Sequence, residues 1–453
     1  MAEHDRPRTD EGGWLEADQP GRPFRAQIRE RRRSVVGALA LALLVVGVIV
    51  VAGPRSVATT RPAQSLSPQG SSGWFQPLHY VTSVDFFSPA DGVVLTNLTS
   101  VSASGLSPYR QSLLATHDGG RHWRDITPAA EGSIGCCAAF FLDPSHGWAA
   151  GNWGPGTSST LRVFRTIDGG ATWTHTEISG APGGCCPSLD FVDSQHGWLV
   201  YGSQFQGPPE SPLPRFLRTE DGGASWTELP SLPGTPLGQT LILVLSVSPV
   251  RFVSPSTGWF VESTGGLGGP HQRLYITRDG GYRWQRQNVP LPTTSPSPPA
   301  DNLAGDYMHL TVPTITSSGT GVLPVSQGDG SGVLLDFSDD GGATWRTDPA
   351  RGPLFSLAPD ASATLCDGAP ASVGHGMMAI VVGRQLEINA GTGWTVVTPT
   401  GLPPGVQRIQ FTDQRVGWAL THVNVSQNDN NQCSDELLFK TIDGGHRWTR
   451  VGG

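Results

Sequence analysis

Carboxylates recur along this chain in two settings, and each could do chemistry. Six aspartates, Asp118, Asp168, Asp221, Asp279, Asp340 and Asp443, share one phrase: a hydroxyl residue, any residue, Asp-Gly-Gly, two residues, then Trp. Those copies end on Trp123, Trp173, Trp226, Trp284, Trp345 and Trp448, and a worn seventh copy runs from Asn389 to Trp394. Two further aspartates, Asp85 and Asp190, each precede a Phe that is followed six residues on by Gly; Arg251 and Gln410 hold the same slot elsewhere. Two carboxyls flanking a sugar bond, one of them carrying a proton, are what glycoside hydrolysis requires. Solvated or paired polar groups lining a channel are the plainer reading of these four residues. The cysteines form a third group. Cys136-Cys137 and Cys185-Cys186 fall at matching points of neighbouring units, read as connections between them, and Cys366 and Cys433 lie further on. In an oxidising compartment such thiols pair as disulfides. A four-thiolate zinc site is possible chemistry, but adjacent cysteines are poorly spaced for it. Which cysteine joins which stays open.

The elements that hold these residues follow from spacing. Asp-Gly between apolar runs signals a hairpin tip, because glycine accepts the positive φ of a tight turn. The Asp carboxylate can lock that turn through backbone N–H groups, and the Trp offers a large plate to bury. Upstream, the Phe and Gly phrase recurs as Phe86 to Gly92, Phe141 to Gly147, Phe191 to Gly197, Phe252 to Gly258 and Phe411 to Gly417. That spacing suits one strand, a turn and a second strand. Each unit therefore holds four short strands, A to D, with the Asp-containing tip joining C to D. The units repeat every ~50–60 residues, the period of a repeat architecture. Four-stranded sheets repeated about a centre make a propeller. The expected fold is all-β, a seven-bladed β-propeller of four-stranded antiparallel blades.

The tip phrase resembles the Asp box, or BNR repeat. The paired Phe and Gly-Trp phrase is similar to the bacterial family of photosystem II stability/assembly factor-like proteins, over residues 74–453. The same repeat occurs in sialidases, other glycosidases, sortilin-type receptors and assembly factors, so the resemblance implies a fold and not a chemistry. It implies that the tip aspartates, Asn389 and the tip tryptophans are structural staples at the blade periphery, away from any catalytic centre. A sialidase would need an early Phe/Tyr-Arg-Ile-Pro signature, and the nearest text here is Tyr109-Arg110-Gln111-Ser112.

Composition sets the remaining bounds. The chain has 453 residues, a net charge of −8, and 59 Gly with 38 Pro, which fits many turns and no long helices outside one segment. A basic stripe is absent, which argues against nucleic acid. Lys440 is the only lysine. Val35 to Gly53 is uncharged and long enough to cross a bilayer, and Arg22, Arg25, Arg29, Arg31, Arg32 and Arg33 precede it. The positive-inside bias then keeps the N-terminus cytoplasmic and exports the rest. The expected organisation is a disordered cytoplasmic tail at 1–33, a single N-terminal transmembrane helix at 34–53, a linker at 54–73 and an extracytoplasmic propeller at 74–453. No Gly-x-Ser-x-Gly elbow, His-Glu-x-x-His or phosphate loop occurs, and no metal or cofactor is expected. Long loops on one face, at 97–111, 151–160, 202–214, 290–306 and 422–432, are where a protein or glycan partner would bind. The functional expectation is a membrane-anchored, non-catalytic binding or assembly scaffold; the alternative is a glycoside hydrolase acting on extracellular glycans.

Overall fold

The computed structural model describes residues 58–59 and 81–451, apart from the connections 99–100, 103–104, 107–109, 129–134, 154–159, 180–186, 202–214, 231–249, 267–268, 291–307, 317, 328–331, 349–354, 357–370, 375–376, 383, 391–392, 404–405 and 423–435. Seven antiparallel sheets follow one another along the chain, each a meander in the order A-B-C-D. Blade 1 comprises Val81–Phe86, Gly92–Leu98, Arg110–Thr116 and Arg124–Asp125. Blade 2 comprises Gly135–Phe141, Gly147–Trp153, Thr160–Thr166 and Thr174–Ile178. Blade 3 comprises Ser188–Phe191, Gly197–Tyr201, Arg215–Thr219 and Thr227–Glu228. Blade 4 comprises Val250–Phe252, Gly258–Gly266, Gly269–Thr277 and Gln285–Arg286. Blade 5 comprises Met308–Leu310, Gly321–Gln327, Gly332–Ser338 and Arg346–Thr347. Blade 6 comprises Ala371–Gly374, Met377–Val382, Gln385–Asn389 and Trp394–Val397. Blade 7 comprises Val406–Phe411, Gly417–His422, Glu436–Thr441 and Thr449–Arg450.

The core is seven cores. Side chains alternate across each strand, so every blade has two apolar faces, one for each neighbour. In blade 3, Leu199 and Tyr201 pack toward blade 2 while Trp198 and Val200 pack toward blade 4. The same division gives one apolar cluster per pair of consecutive blades. The last cluster joins Trp418, Leu420, Leu438 and Val451 of blade 7 to Val81, Phe86, Leu114 and Trp123 of blade 1. That cluster closes the ring. Blade 7 supplies its own fourth strand, so closure needs no exchanged strand.

The Phe and Gly spacing now has a physical cause. Phe191 ends strand A and its ring lies across Gly197, where an added Cβ would meet the ring at 2.2 Å. The other side of that ring stacks on Trp148 of blade 2, with centroids 3.6 Å apart and planes 9° apart. Phe252 stacks on Trp198 at 3.4 Å, and Phe86 on Trp418 at 3.6 Å. The Gly is bare so that the Phe can reach the Trp of the preceding blade.

Five short strands were not foreseen, among them Val101–Ser102 and Gly105–Leu106, which pair with each other, and Thr314–Ile315, which pairs with Gly321–Gln327. Ala58–Thr59 pairs antiparallel with the outer strand of blade 2 inside the stretch read as a linker. Phe355–Ser356 pairs with Gly332–Ser338 of blade 5. The expected transmembrane segment at 34–53 lies outside the described residues, as do residues 74–80 at the start of the expected propeller span. Among the described residues no helix is long and apolar enough to cross a membrane.

Candidate functional site

The Asp-Gly-Gly phrases form the C-to-D tips. In blade 2, Asp168 Oδ1 accepts from Thr166 Oγ1 at 2.8 Å and from the Thr172 N–H at 2.8 Å. Thr166 Oγ1 in turn accepts from the Gly170 N–H. Both tip glycines take positive φ, Gly169 at 66° and Gly170 at 81°. Asp118, Asp221, Asp279, Asp340 and Asp443 repeat the arrangement with Thr116, Thr219, Thr277, Ser338 and Thr441. Thr344, through its hydroxyl and its N–H, holds Asp340 well below the usual carboxylate range. The Gly169 N–H donates to Ser145 O, and Gly222 to Gln195 O, which ties each tip to the A-to-B turn of its own blade. His146 and His196, in two of those turns, pair with Asp143 and Asp193.

The tip tryptophans are buried, except Trp394, which is half-buried. Trp123 and Trp448 donate Nε1–H to the second glycine carbonyl of their own tips, at Gly120 and Gly445. Trp173 donates to Ile126 O in blade 1, and Trp345 to Gln287 Oε1 in blade 4. Trp226 and Trp284 bury Nε1 with no acceptor. In blade 6, Asn389 pairs in register with Trp394 across the tip. A second set of tryptophans, those of the Gly-Trp phrase, reaches further. Trp148 Nε1–H donates to Gly222 O of the next blade at 2.8 Å, and Trp198 to Gly280 O at 2.9 Å. At the closing seam Lys440 Nζ donates to Gly119 O at 2.9 Å and lies over Trp418.

Asp85, Asp190, Arg251 and Gln410 occupy strand A of blades 1, 3, 4 and 7. The A strands of blades 2 and 3, 3 and 4, and 6 and 7 lie against one another, so strand A forms the inner wall of the ring. Gln410 Oε1 accepts from the Phe86 N–H at 2.9 Å, and its Nε2 donates to Asp85 Oδ1 at 3.1 Å and Phe86 O at 3.0 Å. Asp190 accepts from the Phe252 N–H in the matching place, and Arg251 Nη1 lies 3.4 Å from its other oxygen. Asp190 is 2% exposed, whereas the Arg251 side chain is 53% exposed. Burial pushes the Asp190 carboxyl up to about 7, against the pull of Arg251 and the Phe252 N–H. Burial raises Asp85 as well, opposed by Gln410, Arg251 and Arg408. Arg251 therefore acts on carboxyls from two other blades. Arg408, which the sequence reading missed, is exposed and donates to Ser83 Oγ at 3.2 Å. Its signal was available: it lies two residues before Gln410 on the same strand, hence on the same face.

Cys136 and Cys137 fall within strand A of blade 2, not in the connection before it, at an irregular point in the pairing between Gly135 and Ala138. Their side chains, and Cys185, Cys186, Cys366 and Cys433, lie outside the described residues. Among the described residues no group of three metal-ligating side chains converges. Of the candidate partner loops, 202–214 lies outside the described residues and 151–160, 290–306 and 422–432 mostly do, whereas 97–111 holds a short hairpin of Val101–Ser102 and Gly105–Leu106.

No family model matches the chain. A xyloglucanase from a Paenibacillus species is 26% identical over 260 residues, covering 52% of this chain and 23% of that protein. The chain thus spans about a quarter of that relative's length. Among solved structures, a GH74 xyloglucanase from Xanthomonas campestris is 14% identical with a TM-score of 0.32, over 80% of this chain and 62% of that one. A Penicillium chrysogenum α-L-arabinanase with arabinobiose is 12% identical with a TM-score of 0.38, over 85% and 98%. A Trypanosoma rangeli sialidase with sialic acid is 12% identical with a TM-score of 0.41, over 84% and 60%. Scores of this size mark a distant likeness, and the propeller stands on its own seven sheets and closed ring. These findings correct the functional expectation. The non-catalytic scaffold gives way to the glycoside hydrolase alternative, because the sequence relative is itself a glycan-cleaving enzyme.

Proposed function

We propose that this chain is a glycoside hydrolase whose cleft is the axial mouth of the ring, with Asp190 as proton donor and Asp85 as the second carboxyl. The observation that carries this reading is the buried Asp190 of blade 3 against the half-exposed Arg251 of blade 4 on the inner wall, with Asp85 in the same strand-A slot of blade 1. A general acid must hold its proton near neutral pH, and burial gives Asp190 that property. The carboxyl is not required by the architecture. In blade 7 the neutral amide of Gln410 accepts the same backbone N–H of the next blade. Where an amide suffices to join two blades, an aspartic acid adds a proton that can be moved. Arg251 lies at the exposed end of this pair and orients Asp190 through its Oδ1. The sequence match to a xyloglucanase supports the reaction class and makes xyloglucan the first substrate to try. The apolar run at 34–53 is proposed to anchor the enzyme with its propeller outside the cytoplasm, where polysaccharides are met; protease added to intact cells should then digest the propeller.

The test is release of reducing ends from xyloglucan, arabinan and mixed plant or microbial polysaccharides by the full chain. Asp190→Asn should lower turnover by about 10²–10⁴-fold, the usual worth of a general acid, while thermal melting stays that of a folded ring. Folded protein that cleaves none of these polymers, or an Asp190→Asn variant with full turnover, would defeat the proposal.

A further inference from the structure

We infer that the Asp443-Gly444 peptide, in the tip of blade 7, is a site of spontaneous isoaspartate formation, while the same dipeptide in the other tips is held unreactive by its surroundings. The inference is independent of the hydrolase reading. Asp-Gly is open to this reaction because glycine puts no side chain between its nitrogen and the preceding carboxyl. The Gly444 nitrogen attacks Asp443 Cγ. A C–N bond forms, and the carboxyl hydroxyl leaves as water with the amide proton. A second water then opens the cyclic imide. Opening at the side-chain carbonyl restores aspartate; opening at the main-chain carbonyl leaves the chain running through Cβ. The carboxylic acid reacts and the carboxylate does not, so hydrogen bonds that favour the ionised form are protection.

One part of that protection is common to the six tips. The first glycine N–H is donated to a carbonyl of the A-to-B turn, from 2.7 Å at Gly119 to 3.0 Å at Gly341. The second part divides them. Asp118, Asp168, Asp221 and Asp340 are bonded at both oxygens, and the bond to Oδ2 comes from the side chain four residues on, as from Ser225 to Asp221 at 2.6 Å. Asp279 and Asp443 have Arg283 and Arg447 at that position. Their bonds, from the hydroxyl two residues back and the N–H four residues on, both fall on Oδ1. The third part is a polar side chain reaching across from the preceding blade. Arg124 donates to Gly169 O, Arg165 to Asp221 O and Lys440 to Gly119 O. Arg218 packs on Gly280, where an added Cβ would meet its Nη1 at 2.5 Å. Gln287 donates to Gly342 O and Ala343 O. The tip of blade 7 meets Leu386 of blade 6 instead, which lies on Gly445. Among the described tips, Asp443 alone has neither the side-chain bond on Oδ2 nor a polar group across the seam. Isoaspartate adds a backbone atom there. It would push Gly445 off Leu386 and strain the Trp448 Nε1–H bond to Gly445 O, so the product loosens the seam between blades 6 and 7.

The experiment keeps the full chain folded in heavy-oxygen water at mildly acidic pH and physiological temperature, then reads each tip peptide by mass spectrometry. Every passage through the imide leaves one heavy oxygen behind, and electron-transfer fragmentation separates isoaspartate from aspartate. Label and isoaspartate should build up at Asp443 about ten-fold faster than at Asp221, the worth of one bond to a charged group. In denaturant the gap between the two should close. Arg447→Thr offers Oδ2 the hydroxyl that Thr172 and Thr344 supply in their own tips, and should slow Asp443 toward the rate of Asp221. Ser225→Ala should quicken Asp221. Thermal melts check that both variants stay folded, and the comparison of Asp443 with Asp221 in the unaltered chain needs neither. Folded protein that labels Asp443 no faster than Asp221, a gap that persists in denaturant, or a folded Arg447→Thr variant labelled at the original rate would overturn the inference.

Discussion

The seam between blades 3 and 4 and the seam between blades 5 and 6 do the same job with unequal means. At the first, Phe252 lies on Trp198, Trp198 donates to Gly280 O, and Asp190 receives the Phe252 N–H. Nine buried apolar side chains fill this seam, Trp198 and Phe252 among them. At the second, four do: Val322, Leu335, Phe337 and Ile380, with Met378 and Trp394 packed alongside. The difference begins in the sequence. Blade 5 carries Gly321-Val322 where blade 3 carries Gly197-Trp198, and blade 6 has neither the partnering Phe nor the full tip phrase. Each phrase is thus half of a two-blade joint, and a joint is complete only when one blade brings the Trp and the next the Phe. Since each blade buries its faces only against neighbours, the stability of the ring is close to a sum over seams, and opening should start where the sum is smallest.

This contrast can be broken or sharpened by substitution. Trp198→Ala removes a fully buried ring, its stack and its hydrogen bond, and should cost about 3–5 kcal/mol in denaturant unfolding. Ile380→Val at the thin seam should cost only about 0.5–1.5 kcal/mol. If the thin-seam change proved the worse, stability would not be distributed by the phrases. Hydrogen exchange should show the strands of blades 5 and 6 opening before those of blades 3 and 4.

Asp336 tests the seam between blades 4 and 5, where regularity starts to fail. It stands opposite Leu323 on a wall of apolar side chains, is fully buried, and leaves Oδ2 without a partner. Burial raises its carboxyl to about 6, against the Thr347 hydroxyl. Because the folded value lies above the unfolded one, the folded state holds this proton more tightly. Its contribution is most favourable below the unfolded value of 3.8, declines as pH rises, and is fully lost above about 6. Asp336→Asn should therefore gain up to about 3 kcal/mol at pH 8 and little at pH 4. Melting temperatures at the two pH values check it; equal gains at both would refute the assignment.

The smallest expected effects lie at the tips. Asp221→Ala loses bonds from Thr219, from the Ser225 N–H and from its hydroxyl, and should cost about 1–2 kcal/mol. Asn389→Ala should cost about 0.5 kcal/mol or less, because in blade 6 Glu387 replaces the hydroxyl that completes the network elsewhere. Thermal melts of the two variants side by side would show whether the worn copy still fastens its turn.

What the sequence made legible was what repeats. Asp-Gly-Gly demands a particular backbone wherever it occurs, and Phe with a bare Gly six residues on fixes an A-to-B pair, so seven blades could be read before any coordinates. The inner-wall slot of Asp85, Asp190, Arg251 and Gln410 was legible for the same reason. What did not repeat stayed hidden. Ala58–Thr59 joins blade 2 through backbone bonds that leave no pattern in two residues. Asp336 sits in a strand whose alternation gives no hint that its face is buried on a neighbour. The raised carboxyl of Asp190 depends on burial in the folded ring, a sum over neighbours that no single chain segment records. The expectation of a scaffold without catalysis was corrected from outside the chain, by the match to a xyloglucanase, and not by any motif its own sequence carries.

Lys440 carries a last consequence. Apart from the chain's α-amino group it is the single primary amine in the protein, and it is half-buried with its nitrogen on Gly119 O across the closing seam. Acylating reagents should therefore modify the propeller at one position only, slowly while blades 7 and 1 are joined and fast once they part. The labelling rate at this one nitrogen would serve as a clock for the opening of the ring.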